Sequence, residues 1–351
     1  MERKEIVRRS IEFDNPPRLP FFLGSAWNEK LSSQFDDFPN DFCDSWEMDR
    51  QEAGWFFDNA APDDWGCRWK TTTSKNMGQV VSHPLENWNK LESYTPPDPK
   101  NPFYFKRIDE DIQDAGDRYT IITSHFNLIE RLEMLRGFAN TLVDFYMEPE
   151  NINKVLDMIL EYKVEHIREA GRRFGDRVHG IFLTDDWGTQ ENTYISEDLF
   201  REFFLDRYKE LYQAVHDNGW HVIQHSCGNV VDFVPLFKEA GVDVMNMQQP
   251  KVYGIENVGD KFAGKMCFLT TVDIQNTLPK CNHEEVRQEA VELVKHWSRP
   301  SGGLIVFNYG DSDAIGTTDD ITKTMFEAFY DLKDYWQGKE PSGLNRTTRW
   351  I

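Results

Sequence analysis

The chain has 351 residues, enough for one large α/β domain or two smaller ones. It carries 60 acidic and 39 basic residues, a formal net charge of −21, and a surface this acidic repels nucleic-acid phosphates and anionic membranes. No stretch approaches the roughly 18 apolar residues that a membrane-spanning helix needs. Five scattered cysteines are typical of a reducing compartment. We therefore expect a cytoplasmic protein that binds neither nucleic acid nor membrane.

From residue 119 onward, short apolar runs alternate with amphipathic stretches. Runs rich in Ile, Val and Phe are typical of strands that are buried on both faces. The predicted strands are Leu19–Leu23, Tyr119–Ser124, Val178–Thr184, His221–His225, Val242–Met247, Lys265–Thr270 and Gly303–Asn308. The predicted helices are Glu150–Phe174, Ser196–Asn218, Asp232–Ala240, Glu284–Ser298 and Asp319–Gln337.

This regular alternation of strands and helices favours a parallel sheet, and the number of repeats suits a closed TIM barrel. A doubly wound open sheet is the alternative, but neither a GxGxxG nor a GxxxxGK[ST] loop occurs in the sequence. We predict an α/β fold, a (β/α)8 barrel formed by residues 1–351 as a single domain. Residues 24–115 are interpreted as an irregular N-terminal elaboration over the barrel mouth.

Polar side chains follow most of the predicted strands. In a TIM barrel the carboxyl ends of the strands and the loops after them form the active site, so these side chains are expected to converge. The residues concerned are His125, Asp185, Asp186, Trp187, His225, Cys227, Gln248, Gln249, Asp273, Asn308, Tyr309 and Asp311.

The sharpest of these features is the pair His225-x-Cys227. Imidazole and thiolate are both good zinc ligands, and a spacing of two residues directs both side chains to one side of a strand end. Gly228 then allows a sharp turn. The alternative is a core histidine beside a buried cysteine. A catalytic zinc site needs three protein ligands, so a third ligand would have to come from elsewhere.

Asp185 and Asp186 form a second feature. Adjacent carboxylates at a strand end point in different directions, so one is expected to enter the mouth as a general acid or base. The other would cap the following segment. The sequence leaves open which is which. His125 is either a ligand-binding residue at the mouth or a hydrogen-bonded structural residue.

Several segments of the chain, in their order and spacing, resemble the uroporphyrinogen decarboxylase superfamily. They are Asn15–Pro20, Asp64–Trp69, Leu132–Glu150, Asp185–Gln190, Ile195–Phe200, His225–Asn229, Asp273–Gln275 and Gly302–Ile305. The resemblance implies a distorted TIM barrel. The decarboxylases of this superfamily hold substrate carboxylates with an arginine-rich N-terminal signature, but Phe21–Trp27 contains no arginine here. Tetrapyrrole decarboxylation is therefore not expected.

Another branch of the superfamily contains zinc-dependent methyltransferases that move methyl groups to or from a corrinoid protein or a thiol. Their ligand pattern is His-x-Cys followed by a late cysteine. His225 and Cys227 match the first two ligands, but Phe307–Gly310 contains no cysteine. Asp311, Tyr309 or another group would then complete the zinc site.

The resemblance implies a methyltransferase that moves a methyl group from a small methoxylated or methylated compound to a corrinoid protein. No Asp-x-His-x-x-Gly corrinoid-binding pattern occurs in the chain, so the corrinoid would be carried by a separate protein. The alternatives are a decarboxylase or lyase acting on a small carboxylated or tetrapyrrole substrate, and a non-catalytic barrel that binds a small ligand. The residues assigned are His225, Cys227 and Asp311 for zinc, Asp185 and Asp186 for catalysis, and His125, Trp187, Gln248, Gln249, Asn308 and Tyr309 for substrate binding.

Overall fold

The computed structural model describes residues 1–23, 38–46, 62–70, 78–310 and 312–335. The chain divides into two compact units. Unit 1 comprises Met1–Phe42, Asp117–Tyr119 and Val244–Ile351, and unit 2 comprises Cys43–Gly116 and Thr120–Asp243. Within the described ranges, no helix combines the length and the apolar character that crossing a membrane requires.

Unit 1 is built on four parallel strands, which pair in the order Phe21–Phe22, Leu304–Phe307, Cys267–Thr270 and Val244–Asn246. Almost all of their side chains are buried, as their apolar sequences require. The strands are β1 (Phe21–Phe22), β8 (Val244–Asn246), β9 (Cys267–Thr270) and β10 (Leu304–Phe307). The helices are α1 (Arg3–Ile11), α9 (Pro250–Tyr253), α10 (Ile255–Phe262), α11 (His283–Trp297), α12 (Ser312–Ile315) and α13 (Asp319–Asp331), with a 3-10 turn at Leu278–Lys280.

Unit 2 has four strands that lie side by side in the order His221–His225, Gly180–Thr184, Tyr119–Ser124 and Phe42–Trp46, and the first three of these are parallel. Arg68–Lys70 and Gln79–Ser82 form a separate antiparallel pair. The strands are β2 (Phe42–Trp46), β3 (Arg68–Lys70), β4 (Gln79–Ser82), β5 (Tyr119–Ser124), β6 (Gly180–Thr184) and β7 (His221–His225). The helices are α2 (Lys106–Gln113), α3 (Ile129–Arg136), α4 (Phe138–Met147), α5 (Pro149–Phe174), α6 (Glu197–Phe200), α7 (Asp206–His216) and α8 (Val234–Ala240). Short 3-10 turns lie at Trp88–Ser93, Pro102–Phe105, Gly175–Arg177 and Val231–Phe233, and a π-helical turn at Arg201–Leu205.

The alternation of parallel strands with helices confirms the predicted class, an α/β fold of the TIM-barrel type. Two strands, Tyr119–Ser124 and His221–His225, have the predicted bounds, and the others are shorter than predicted. The predicted helix Ser196–Asn218 begins at a cap in which Ser196 Oγ accepts from the backbone N–H of Leu199 at 3.3 Å. The end predicted at Gln337 lies outside the described residues.

The described parts of the interval 24–115, which are residues 38–46, 62–70 and 78–115, contain more regular secondary structure than the sequence indicates. They contain β2, which neighbours β5 in the sheet, and helix α2. The sequence of β2, Phe-Cys-Asp-Ser-Trp, does not show the continuous apolar character of the other strands, so hydrophobicity alone does not reveal it. The single-domain organisation and the position of this interval over the mouth stay predictions.

Candidate metal centre

The candidate site starts at the carboxyl ends of β6 and β7. Thr184, the last residue of β6, lies opposite His225, the last residue of β7. Asp186 and Cys227 each follow two positions later. The backbone N–H of Cys227 donates to Asp186 Oδ1 at 2.7 Å. The parallel register and this hydrogen bond together bring the two strand ends to one place.

Three different ligand atoms meet there. His225 Nε2 lies 3.3 Å from Cys227 Sγ and 3.5 Å from Asp186 Oδ1. One ligand atom from each residue lies within 4.8 Å of the other two, and no other trio of this kind occurs in the ranges that the structure describes. The side chain of Asp186 is 35% exposed. The trio therefore contacts solvent at Asp186.

The turn after His225 depends on two glycines in contact. Gly228 has φ +79°, and a Cβ built on it would lie 2.1 Å from the carbonyl oxygen of Gly188. The loop after β6 and the loop after β7 are also joined by a hydrogen bond of 2.7 Å, which the backbone N–H of Asn229 donates to the carbonyl of Thr189. A side chain at position 228 would push the loops apart, so glycine is required for the position of Cys227.

Asp185 points away from the trio. Its carboxylate accepts the backbone N–H groups at the start of α3, from Leu128 at 2.6 Å, Ile129 at 3.2 Å and Glu130 at 2.9 Å. The hydroxyl of Tyr208 donates to it at 2.5 Å. A buried carboxylate at a helix N-terminus satisfies orphan N–H groups and is stabilised by the helix dipole. Asp185 therefore anchors α3, while Asp186 faces His225 and Cys227.

Helix α3 carries two further carboxyl groups, Glu130 and Glu133, into the surroundings of the trio. Loss of hydration, with the charges of Asp186 and Asp185, raises the pKa of Glu130 well above its usual value. Loss of hydration and the same two aspartates raise the pKa of Glu133 to about 9. Both glutamates therefore favour the neutral carboxylic acid at neutral pH.

Burial and nearby negative charge also act on the thiol of Cys227. Burial, with the negative charges of Asp186 and Glu130, raises its pKa well above the usual value. The thiol is therefore protonated while no cation is present, and a bound divalent cation would reverse that preference. Nitrogen, sulfur and oxygen donors in a trio are typical zinc ligands. The residues at this site fit a zinc ion.

Tyr194 brings an aromatic hydroxyl to this region. Burial, and then the negative charges of Asp186, Glu133, Cys227 and Glu130, raise its pKa to about 12. Its backbone N–H donates to the carbonyl of Trp187 at 2.8 Å. The phenol is therefore a neutral hydrogen-bonding group beside the trio.

Two residues assigned to substrate binding lie in unit 2. Trp187 is fully buried, donates from Nε1 to Tyr208 Oη at 3.0 Å and contacts Phe200 and Phe204 edge to face. This packing places its indole in the core, and its assignment to substrate stays a prediction. His125 is partly buried, and its carbonyl accepts from Lys163 Nζ at 2.8 Å.

The remaining assigned residues lie in unit 1. Gln248, Gln249 and Asn308 are buried, and Tyr309 is partly buried. Gln248 Nε2 donates to Asn246 Oδ1 at 2.7 Å, and Asn308 Nδ2 donates to Leu23 O at 3.0 Å. Asp311 lies outside the described residues. Their assignment to substrate or metal stays a prediction.

Sequence reasoning missed Glu130, Glu133 and Tyr194. The signal for the two glutamates was a pair of acidic residues three positions apart, shortly after strand β5, on a segment otherwise rich in Leu, Ile and Met. Residues three apart share a helix face, so the pair could have been placed beside the strand ends. Tyr194 carried no comparable signal.

Gly228→Ala is expected to lower the free energy of unfolding by about 3 kcal/mol, because left-handed strain adds to a forced displacement of the loops. The matched control is Gly219→Ala, where φ is +74° but no atom lies within 4 Å of the added Cβ. That variant should lose only about 1 kcal/mol. Urea unfolding of both variants measures the difference, and equal losses would contradict the contact.

Glu133 also predicts a pH dependence of stability in the metal-free protein. The pKa of Glu133 in the folded protein, about 9, lies above the usual 4.5, so the folded state binds this proton more tightly than the unfolded state does. The free energy of unfolding therefore falls as pH rises from 4.5 to 9. Glu133→Gln removes this loss. Between pH 5 and 9 the wild type should lose up to about 1 kcal/mol per pH unit relative to the variant. Urea unfolding across pH tests this, and parallel curves would refute it.

The fold resembles that of known structures. A methyltransferase from Methanosarcina mazei is similar over 95% of this chain and 99% of that chain, with a TM-score of 0.68 and 14% sequence identity. Dispersin B is more distant, with a TM-score of 0.37 and 12% identity over 66% of this chain and 77% of that chain. No curated protein matches the chain in sequence. The first likeness supports the fold, and the second is too distant to support an argument.

The sequence model of the family described as uroporphyrinogen decarboxylase (URO-D) matches residues 53–331. That match includes β6, β7 and all three residues of the trio. It spans well over half of the chain. The chain belongs to the uroporphyrinogen decarboxylase family.

Proposed function

We propose that this protein is a zinc-assisted methyltransferase that moves a methyl group from a small methoxylated or methylated compound to a corrinoid protein. The observation that carries the proposal is the trio Asp186, His225 and Cys227, whose ligand atoms lie within 4.8 Å of one another. The fold likeness to a methyltransferase structure, at 14% identity, is consistent with it.

In this proposal Asp186, His225 and Cys227 hold the zinc ion. Three protein ligands are typical of a catalytic zinc site, because they leave a coordination position for substrate. When bound, zinc acts as a Lewis acid that withdraws charge from the atom leaving the methyl group. Asp186 takes the place of the late cysteine, so Asp311 is not needed as a ligand.

The ligand set suits ether or amine substrates. A carboxylate is a harder and less electron-donating ligand than a thiolate, so Asp186 in place of a second cysteine leaves the metal more electrophilic. An electrophilic metal favours loss of a methyl group from an oxygen or nitrogen atom over activation of a thiolate. The acceptor would be a corrinoid on a separate protein, because the chain has no corrinoid-binding pattern of its own.

Metal analysis tests the site directly. Protein purified without added metal should contain about one zinc per chain, and Cys227→Ala or Asp186→Asn should weaken zinc binding at least ~100-fold because each removes a ligand. Cys281→Ala is the matched control, since Cys281 is exposed and outside the trio. Zinc titrations followed by proton release should also show loss of the Cys227 proton. Equal affinity in all variants would contradict the ligand assignment.

Methyl transfer is tested with 2-methoxyphenol, trimethylamine and dimethyl sulfide as donors and cob(I)alamin as acceptor. Formation of methylcobalamin, read from its absorbance, should depend on zinc and fall at least ~100-fold in Cys227→Ala. Cys281→Ala should retain the wild-type rate. Absence of methylcobalamin with all three donors, together with carbon dioxide release from carboxylated analogues, would favour a decarboxylase instead.

A further inference from the structure

Asp186 lies just beyond the end of its strand. Strand β6 ends at Thr184, and one backbone hydrogen bond, from Asp185 N to His225 O at 3.1 Å, continues the pairing with β7 by one residue. The sheet alone therefore does not fix the position of Asp186. A metal site needs its ligands held within about 0.5 Å of their working geometry, so contacts from other elements are expected to hold this segment.

The hydroxyl of Tyr208 contacts the residues on both sides of Asp186. It donates to Asp185 Oδ2 at 2.5 Å and accepts from Trp187 Nε1 at 3.0 Å. The indole N–H is a donor only, so both bonds run in one direction, from the indole through the phenol to the carboxylate. All three side chains are fully buried, where a lost hydrogen bond leaves a polar group without a partner. One phenol thus joins the two residues that flank the ligand.

The same hydrogen bonds extend to the segment that carries the other two ligands. The backbone N–H of Trp187 donates to Ser226 Oγ at 3.0 Å, and Ser226 lies between His225 and Cys227 in the chain. The side chain of Ser226 is also fully buried. The network therefore connects the residues on either side of Asp186 with the residue between the other two ligands.

A π-helical turn brings Tyr208 to the indole of Trp187. Helix α7 begins directly after the turn Arg201–Leu205. Residues four apart drift around an α-helix, because one turn takes about 3.6 residues, and a wider π turn reverses that drift. The rings of Phe200, Phe204 and Tyr208 accordingly all contact this indole, with centroid distances of 5.1, 4.6 and 6.4 Å. The turn therefore sets which face of α7 meets the network, and such turns are frequent at functional sites.

We propose that Tyr208 is a positioning residue for the metal trio. Its hydroxyl fixes the segment Asp185–Trp187, and thereby the distance from Asp186 to the two ligands that follow β7. The inference rests on the proposed function, because it takes the trio as a zinc site. Residues that hold metal ligands in place set metal affinity, and their loss typically weakens metal binding about 10- to 100-fold.

Tyr212 provides a matched comparison for a purely structural role. It lies one turn further along α7, is fully buried, and donates from its hydroxyl to Gln224 Oε1 at 2.9 Å. Gln224 lies within β7 and pairs with Leu183 of β6, so the sheet keeps its backbone in place without this hydroxyl. Tyr208→Phe and Tyr212→Phe each remove one buried hydroxyl from the same helix, and only the first loosens the segment that carries Asp186.

The test measures zinc affinity by competition with a chromogenic chelator, at a temperature where urea unfolding shows each metal-free variant to be folded. Tyr208→Phe should weaken zinc binding about 10- to 100-fold, whereas Tyr212→Phe should bind zinc as the wild type does. Ser226→Ala is a smaller change that removes the acceptor of the Trp187 N–H, and it should also weaken zinc binding. If Tyr208→Phe does not fold, Ser226→Ala decides the test.

Cobalt(II) bound in place of zinc gives a second readout, which a loss of stability alone would not change. Its visible absorption follows the ligand geometry, so the spectrum of Tyr208→Phe should differ from that of the wild type and the spectrum of Tyr212→Phe should match it. Wild-type affinity in both Tyr208→Phe and Ser226→Ala, or equal losses in the two tyrosine variants, would overturn the inference. A wild type that binds no zinc would refute the proposed zinc site and the inference with it, whereas zinc binding without methyl transfer would refute only the proposed reaction.

Discussion

The hydrogen bond from the backbone N–H of Cys227 to Asp186 is the interaction on which the site depends. It joins the residues that follow two neighbouring parallel strands, whose register places Thr184 opposite His225. A shift by one residue would turn one of the side chains to the other face. The strand pairing therefore sets the distance between imidazole, sulfur and carboxylate, and the fold produces the ligand trio without any separate motif.

Several acidic side chains surround this trio and act on one another's protonation. The charge of Asp186, together with burial, raises the pKa of Glu130, of Glu133 and of the Cys227 thiol, because ionised groups of like charge repel one another. A divalent cation would relieve this repulsion and would convert the thiol to a ligand. The electrostatics and the donor chemistry are therefore both consistent with a divalent cation at this site.

The sequence allowed seven of the strands, the α/β class and the His225–Cys227 pair to be predicted, because buried strands and strand-end polar residues follow from local patterns. It could not decide between Asp185 and Asp186, since that choice depends on where α3 begins. Trp187 follows the same strand, and its indole packs against phenylalanines of the core, while its assignment to substrate stays a prediction. Glu130 and Glu133 were missed because α3 buries two arginines and lacks a simple polar face.

The contact between Gly188 and Gly228 has a consequence for how this region can move. A Cβ on Gly228 would lie 2.1 Å from the carbonyl oxygen of Gly188, and a Cβ on Gly188 would lie 3.0 Å from the backbone nitrogen of Asn229, so the loop bearing Asp186 and the loop bearing Cys227 are in close backbone contact. A motion that kept this contact and the hydrogen bond from Asn229 N to Thr189 O would carry both loops together. The spacing of the donor atoms would then survive the motion, and the mouth could widen without the ligand trio being taken apart.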